Sequence, residues 1–216
     1  MAYIFQTFRV ELDAAIKKNA HLLHGKILDV GAGAVDRYSR YFDATAYIRM
    51  NLKPDTGTQL VGSIEAIPAT EGEFDGIVCT QVLGDIYNLQ KAMDELSRVL
   101  KVGGRVLLTE SFIDPLHDEP HDYWRFTPHS LKRLLTDAGF TVVAFDRVGG
   151  YHSTMAQLRT RYRIQKYHLY SAWYGRVASA VFKFWGVLAL QRDAYNLSDT
   201  SKLFAQGWLI VAEKSK

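Results

Sequence analysis

In this 216-residue chain, the residues best suited to bind a ligand lie in a glycine-rich turn. Residues 27–34, ILDVGAGA, lead from an apolar, strand-like run into a loop in which Gly31 and Gly33 stand one residue apart. Glycines there let the backbone approach a ligand closely, and Asp29 could bind an ammonium group directly or through water. We therefore predict a ligand site in this loop.

The residues that follow the glycines disfavour a phosphate ligand. A dinucleotide fingerprint, G-x-G-x-x-G, would have its third glycine at Asp36, and a carboxylate there would repel a pyrophosphate. A P-loop would require Lys followed by Ser or Thr, and neither pair follows these glycines. The loop chemistry therefore favours a nucleoside ligand without phosphates over an NAD-type cofactor.

A second candidate is the segment HDEPHDYWRFT, which contains His117, Asp118, His121 and Asp122. Two imidazoles four residues apart could share a helix face and bind a metal, but Pro115 and Pro120 oppose a regular helix, so we predict no metal. A histidine beside a carboxylate titrates near neutrality and could act as a general base. The alternative is structural, with His121 and Asp122 bracing the loop while its aromatic residues pack on the sheet.

Alternating strands and helices must position these residues. Strands are predicted in KILDV, AYIRM, QLVG, FDGIVCT, RVLLTESF, TVVAFDRV and GWLIVAEK. Helices are predicted over residues 9–23, within GAGAVDRYSRYF, in LQKAMDELSRVL and in TPHSLKRLLTDAGF. Gly103 and Gly104 would end the third of these, and Thr127 or Ser130 would begin the fourth.

This alternation indicates an α/β fold with a doubly wound, mostly parallel sheet of seven strands. In such a sheet ligands bind outside the carboxyl ends of the strands, which is where the glycine loop lies. The length predicts one domain over residues 1–216, with a helical insertion or lid over 151–200 before the last strand. With one cysteine, no apolar run of about 20 residues and no signal-peptide pattern at the start, we expect a cytoplasmic protein.

The insertion carries an uneven charge. Residues 147–192 contain eight arginines and lysines and no aspartate or glutamate. Apolar residues recur there at helical spacing: Leu169, Trp173, Val177, Val181, Phe184 and Leu188. We favour a lid that packs this stripe against the sheet. The alternative is an anionic partner, either a membrane surface contacted through 151–192 or a phosphate-bearing glycan intermediate, whereas nucleic acid is disfavoured because no binding motif accompanies the charge.

Five ordered pieces of the chain resemble class I S-adenosylmethionine-dependent methyltransferases of the type 11 kind. They are ILDVGAGA, YIRMN, GSIEAIP, FDGIVCTQVL and LSRVLKVGGRVLLTESF, covering residues 26–148, with GWLIVAEK at the end. The segment HDEPHDYWRFTPHSLKRLL resembles a subgroup in which such a run follows the fifth strand. The resemblance implies a Rossmann-like methyltransferase fold and S-adenosylmethionine as cofactor.

The resemblance also implies which residues bind the cofactor. Asp29, Gly31 and Gly33 would face its methionine part, and Gln81 would border the sulfonium. Ser63 and Ile64 would flank the adenine. Asn51 takes the place of the acid that usually binds the ribose hydroxyls, and we expect weaker binding because an amide loses the charge-assisted hydrogen bond.

The function implied is methyl transfer to an oxygen of a small-molecule or glycan acceptor, which could be anionic. His121 is our first candidate for a general base and His117 our second. The alternative is a non-catalytic protein of the same fold that binds or scaffolds. Binding of S-adenosylhomocysteine without methyl transfer would distinguish the two.

Overall fold

The computed structural model describes residues 4–171, 173–196 and 198–215 of the chain. These residues form two compact units. The sheet unit comprises 15–111, 116–146 and the chain from 208 onward, and the helical unit comprises the chain up to 14, 112–115 and 147–207. The predicted insertion over 151–200 falls in the helical unit, where positions 172 and 197 lie outside the described residues.

Seven strands form one sheet in the order β3-β2-β1-β4-β5-β7-β6. Their bounds are β1 His24–Val30, β2 Asp43–Asn51, β3 Leu60–Val61, β4 Phe74–Thr80, β5 Leu100–Ser111, β6 Phe140–Val148 and β7 Gly207–Lys214. The pairs β1–β2, β1–β4, β2–β3 and β4–β5 are parallel. The strand order reverses between β1 and β4, so the glycine loop after β1 begins at the topological switch point. The predicted sheet is confirmed.

The central strands are apolar because both faces of the sheet are covered. Leu28 of β1, Ile77 of β4 and Leu107 of β5 are fully buried, and so are the neighbours Ile27 and Val78, which point to the opposite face. Continuous burial of this kind is typical of parallel strands, whereas half-exposed strands alternate.

Three helices precede or connect the strands: α1 Thr7–Asn19, α2 Leu89–Val99 and α3 Pro128–Asp137. Asn88 caps α2 by accepting the Lys91 N–H, and Thr127 caps α3 by accepting the Ser130 N–H. Prediction and structure agree on α2 and α3. The helix predicted over 9–23 begins and ends earlier and continues as a 3-10 turn over Ala20–Leu22.

Two local predictions are wrong. The helix expected within GAGAVDRYSRYF is only a 3-10 turn, Ser39–Tyr41, because the chain becomes extended at Phe42 and enters β2 at Asp43. Gly103 and Gly104 do not end α2. They lie within β5, where the pairing with β4 is interrupted and Gly103 has a φ of +77°.

The helical unit contains α4 Tyr151–Lys166, α5 Gly175–Tyr195 and α6 Asp199–Lys202. One side of α5 packs small residues closely: the Ser179 hydroxyl accepts the Phe5 N–H at 2.9 Å, and a Cβ on Gly186 would overlap the Phe5 ring. Ala178 and Phe182 pack against a buried cluster of Ile4, Ile164 and Leu169. None of the described helices is both long and apolar enough to span a bilayer.

The predicted burial of the apolar stripe is wrong for most of its members. Leu169 is buried, but Trp173 is 90% exposed, and Val177, Val181 and Phe184 are also exposed. The helix buries its glycine and alanine side instead, because small residues allow the neighbouring chain to approach the α5 backbone. Large aromatic residues therefore remain on the solvent side of α5.

Candidate functional site

The loop after β1 turns sharply through two glycines. Gly31 has a φ of +71° and Gly33 a φ of +68°, in the left-handed region that favours glycine. The N–H groups of Gly31 and Ala32 both donate to the Met50 carbonyl, at 2.9 and 3.2 Å, which bends the loop over the end of β2. A Cβ on Gly31 would lie 2.5 Å from Cγ2 of Val82, whereas a Cβ on Gly33 would meet no atom within 4 Å. The backbone at Gly33 therefore borders open space.

Asp29, the residue before the last of β1, has an unsatisfied buried oxygen. The residue is 4% exposed, and the Tyr47 hydroxyl donates to its Oδ2 at 3.0 Å. Its Oδ1 is buried and has no hydrogen-bond partner among the described residues. Burial raises the pKa of Asp29 to about 7, although the Tyr47 hydrogen bond and the charge of Arg49 act in the opposite direction. A cationic ligand group beside Oδ1 would supply the missing partner.

Asn51 ends β2 and is tied to the glycine loop. Its Oδ1 accepts the Gly33 N–H at 2.8 Å, and its Nδ2 donates to the Gly33 carbonyl at 3.2 Å and to Thr58 Oγ1 at 2.8 Å. The guanidinium of Arg49, which lies opposite Asp29 in the β1–β2 register, also donates to the Gly33 carbonyl at 2.6 Å. Asn51 thus holds the loop closed, and its role toward a ribose stays a prediction.

Ser63 and Ile64 follow β3 in a short turn. The Ser63 carbonyl accepts the Ala66 N–H at 3.0 Å, and the Ser63 hydroxyl accepts the Glu65 N–H at 3.1 Å. Ile64 is buried in the core, whereas Ser63 is partly exposed. The turn therefore lies at the carboxyl end of β3, next to the end of β2, in agreement with the strand order.

Gln81 follows β4 in a conformation that is uncommon for a side-chain-bearing residue. Its φ is +57°. Its N–H donates to the Thr109 carbonyl at 2.8 Å, and its Oε1 accepts the Ser111 hydroxyl at 2.6 Å, so both contacts attach it to β5. Strained backbone of this kind is concentrated at binding sites, where surrounding contacts enforce it.

Sequence reasoning missed Glu110, which anchors the loop after β4. Its carboxylate, 2% exposed, accepts the N–H groups of Val82, Leu83 and Gly84 at 3.1, 2.8 and 3.2 Å. Burial raises the pKa of Glu110 to about 8, against the opposing effect of these three donors. The available signal was an acid within the apolar strand RVLLTESF, because a buried charge there requires dedicated partners.

The HDYWRFT segment is braced by an ion pair. The Arg125 guanidinium donates to both oxygens of Asp122, at 2.5 and 2.8 Å, and to His117 Nδ1 at 3.2 Å. Hydrogen bonds from Arg125 lower the pKa of Asp122 to about 2. Asp85, His117 and Asp122 offer ligand atoms within 4.8 Å of one another, but the guanidinium already neutralises Asp122. His117 thus takes part in a structural cluster.

His121 is exposed and belongs to an aromatic group. Its Nδ1 lies 3.2 Å from the Tyr123 hydroxyl, and the Tyr123 ring packs edge-on against Tyr87 at 5.4 Å. Both Tyr123 and Trp124 donate their N–H groups to the Gly84 carbonyl, so the segment is joined to the loop after β4. Phe126 is buried. The structure therefore joins the segment that carries both histidines to the loop after β4.

Comparisons with known proteins show similarity to methyltransferases, both in sequence and in fold. Residues 28–108 match the family model described as "Methyltransferase domain". The "Uncharacterized methyltransferase YcgJ" of Bacillus subtilis is 31% identical over a match that covers 44% of each chain, so the match spans less than half of that relative.

Solved structures share the fold. YcgJ from Bacillus subtilis has a TM-score of 0.57 at 18% identity, covering 94% of this chain and 98% of that chain. The 1,6-didemethyltoxoflavin-N1-methyltransferase of Burkholderia thailandensis, with S-adenosylhomocysteine bound, has a TM-score of 0.59 at 16% identity, covering 97% and 79%. The [4+2]-cyclase SpnF has a TM-score of 0.60 at 16% identity, covering 96% and 81%.

At such identities the likeness of the solved structures concerns the fold alone, and the HDYWRFT subgroup stays a prediction. The family model, in contrast, matches the stretch that contains the glycine loop, Asn51, Gln81 and most of β5. Through residues 28–108, the chain is similar to the methyltransferase domain family, in agreement with the class I S-adenosylmethionine-dependent methyltransferases that its sequence pieces resemble.

Proposed function

We propose that this protein uses S-adenosylmethionine to methylate an oxygen atom of a small-molecule or glycan acceptor. The observation that carries the proposal is the buried Oδ1 of Asp29, which has no hydrogen-bond partner among the described residues and lies on the strand that leads into the open loop at Gly33. A carboxylate that lacks a partner in the protein fits the ammonium group of a bound amino-acid moiety. The family match over the same loop supports this choice of ligand.

The proposed binding residues contact different parts of the cofactor. Asp29, Gly31 and Gly33 hold the methionine part, Asn51 lies toward the ribose, Ser63 and Ile64 flank the adenine, and Gln81 borders the sulfonium. When bound, S-adenosylmethionine supplies a methyl group that is already activated by the positive charge on sulfur. The protein then contributes mainly alignment of the acceptor and exclusion of water.

An oxygen acceptor must lose a proton, and His121 is the proposed base. Its exposed imidazole lies on the segment that is joined to the loop after Gln81. His117 is the second choice, because its Nδ1 faces the Arg125 guanidinium at 3.2 Å and can accept no substrate proton there.

The proposal also includes the nature of the acceptor and the role of the insertion. The acceptor is an acidic molecule, and residues 151–200 form a lid. The protein is located in the cytoplasm, and residues 151–192 contact a membrane surface.

Replacing Asp29 by asparagine should weaken S-adenosylhomocysteine binding and remove its pH dependence. The pKa of Asp29 is about 7, so below that pH the carboxyl is protonated and cannot pair with an ammonium group. Wild-type affinity should rise by about tenfold per pH unit between pH 5.5 and 6.5 and level off above about pH 7. Calorimetric titration of both proteins measures this, and parallel pH profiles would contradict the assignment.

The same substitution should change stability in a defined direction. Because burial raises the pKa of Asp29 from 3.8 to about 7, the folded protein retains a proton that the unfolded chain loses between those pH values. The ligand-free wild type therefore loses stability as the pH rises from 3.8 to about 7, and Asp29→Asn should lose less. The Tyr47 hydrogen bond survives in the variant, because an amide oxygen can still accept it.

Methyl transfer itself is tested with S-adenosylmethionine carrying a labelled methyl group. The protein is incubated with fractions of small molecules from a cell extract, and release of S-adenosylhomocysteine is measured. Transfer of the label to an acceptor by the wild type, but not by Asp29→Asn, supports methyltransferase activity. Tight binding with no turnover in any fraction contradicts it and favours the second candidate, a non-catalytic binding protein.

With an acceptor in hand, His121→Ala should lower turnover by about 100-fold, because general-base catalysis is typically worth 10²–10⁴. The loss should shrink as the pH rises, since a weakly acidic acceptor then ionises without help. His121→Gln, which keeps a polar side chain without a base, is the matched control for bracing. Unchanged turnover in both variants between pH 6 and 9 would leave His121 with a structural role only.

A further inference from the structure

A cavity of about 690 Å³ lies between α4 and α5 in the helical unit. Its lining residues belong to these two helices, so it is separate from the residues proposed to bind S-adenosylmethionine. Pockets that hold small molecules measure about 300–1,000 Å³. The cavity therefore has the size of a ligand site that the proposed function does not use.

One wall of the cavity is apolar. Met155 of α4 lines it together with Val181, Phe182, Trp185 and Leu188 of α5. Trp185 and Val181 are exposed to water. Covering such surface is favourable by about 25 cal/mol per Å², so this wall favours contact with an apolar ligand chain.

Three arginines also line the cavity, and no described residue pairs with their guanidinium groups. Arg159 and Arg163 stand one turn apart on α4, and Arg192 lies near the end of α5. Within the described parts of the chain, none of their guanidiniums has a hydrogen bond or ion pair. Arg161 differs, because it lies 3.8 Å from the Asp114 carboxylate. All three arginines are exposed at the cavity, and three like charges around one cavity favour an anion that binds between them.

Among the described side chains of the helical unit, no aspartate or glutamate at the cavity neutralises the three arginines. Asp193 follows Arg192 directly, but its carboxylate accepts the N–H groups of His152 and Ser153 at 3.0 and 2.7 Å. It therefore caps the start of α4 and faces Gly150. Asp193 is thus committed to capping α4, and the charged residues that line the cavity are cationic.

We propose that this cavity binds an anionic amphiphile, with a phosphate or carboxylate head group on Arg159, Arg163 and Arg192 and an apolar chain against Val181 and Trp185. Guanidinium groups bind such head groups through paired hydrogen bonds. An apolar wall joined to a cationic end is complementary to a molecule that carries both features. The proposal goes beyond the proposed methyl transfer and does not rest on it.

The probe is dodecyl phosphate below the concentration at which it forms micelles. Calorimetric titration should give saturable binding of one molecule per chain. The double variant Arg159→Gln/Arg163→Gln should weaken it by at least about tenfold, whereas Arg176→Gln/Lys183→Gln, an equal charge loss outside the cavity, should change it by less than about twofold. Ala156→Phe, which fills the cavity and keeps the arginines, should also weaken binding.

Circular dichroism and S-adenosylhomocysteine titration of each variant show separately whether the fold and the proposed cofactor site persist. Equal affinity for the neutral dodecyl maltoside would overturn the proposal, because the arginines would then have no role. Equal affinity for inorganic phosphate would overturn it as well, because the apolar wall would be irrelevant. Binding to anionic vesicles but not to the monomeric probe would replace it with adsorption of the exposed aromatics on a membrane surface.

Discussion

Gly33→Ala should weaken S-adenosylhomocysteine binding by about 10- to 100-fold, the cost of about 1–3 kcal/mol that overpacking a filled site incurs. The alanine methyl group would extend into the open space beside the loop, since a Cβ built there meets no protein atom within 4 Å. The ligand-free protein should lose only about 1 kcal/mol of stability, from the left-handed backbone alone. Calorimetric titration and urea unfolding measure the two effects.

Gly139→Ala is the matched control. Gly139 has a φ of +84° and also has no atom within 4 Å of a built Cβ, but it lies between α3 and β6, and β6 is the outermost strand on the far side of the sheet. Its substitution should cost similar stability and leave affinity unchanged. Equal affinity in both variants would mean that the ligand does not approach the loop at Gly33. Gly31 is less suitable, because a Cβ there would overlap Val82 and disturb packing.

Glu110→Ala should destabilise the protein by about 3 kcal/mol, because a buried donor without a partner costs about 1–3 kcal/mol and three N–H groups lose their acceptor. The loop of Val82, Leu83 and Gly84 would then detach from β5, and S-adenosylhomocysteine affinity should fall with it. Urea unfolding and calorimetry measure the two effects. Wild-type stability in this variant would show that water satisfies the loop as well as the carboxylate does.

Glu110→Gln separates shape from charge. Its amide oxygen can keep the hydrogen bonds from Val82 and Leu83, so we expect a loss of about 1 kcal/mol. Because burial raises the pKa of Glu110 from 4.5 to about 8, the wild type should lose stability as the pH rises between those values. Glu110→Gln should show a flatter profile, and an identical profile would assign the pH dependence to other groups.

The strands of the sheet were predictable from sequence because strands buried on both faces are apolar along their whole length. FDGIVCT and GWLIVAEK coincide with β4 and β7, since a strand covered on both faces must be apolar throughout. Local competition defeated the prediction elsewhere. The chain enters β2 at Asp43 after a single 3-10 turn where a helix was predicted, and α5 buries small residues while its aromatic stripe faces water. Periodicity reveals that a helix has two faces, but not which one is buried.

The parts of the site that could be predicted are those formed by residues within one short segment of the chain. The two glycines, Gly31 and Gly33, predicted a loop that lets the backbone approach a ligand, and the structure gives both of them a positive φ. The contacts that hold the turn depend on pairing between strands distant in sequence: Arg49 reaches the Gly33 carbonyl because β2 lies beside β1, and Glu110 reaches Leu83 because β5 lies beside β4. Likewise, the contact between the Arg125 guanidinium and His117 Nδ1 depends on how this loop folds, and residue types alone did not predict it.

The most direct test of the central claim is a crystal structure of the protein with S-adenosylhomocysteine bound. We expect the amino-acid end of the ligand against residues 29–33, with its ammonium nitrogen within about 3.2 Å of Asp29 Oδ1 or joined to it by one water. Ligand density at the carboxyl ends of β1, β2 and β4 would confirm the site. Density elsewhere, or Asp29 Oδ1 still without a partner in the complex, would contradict it.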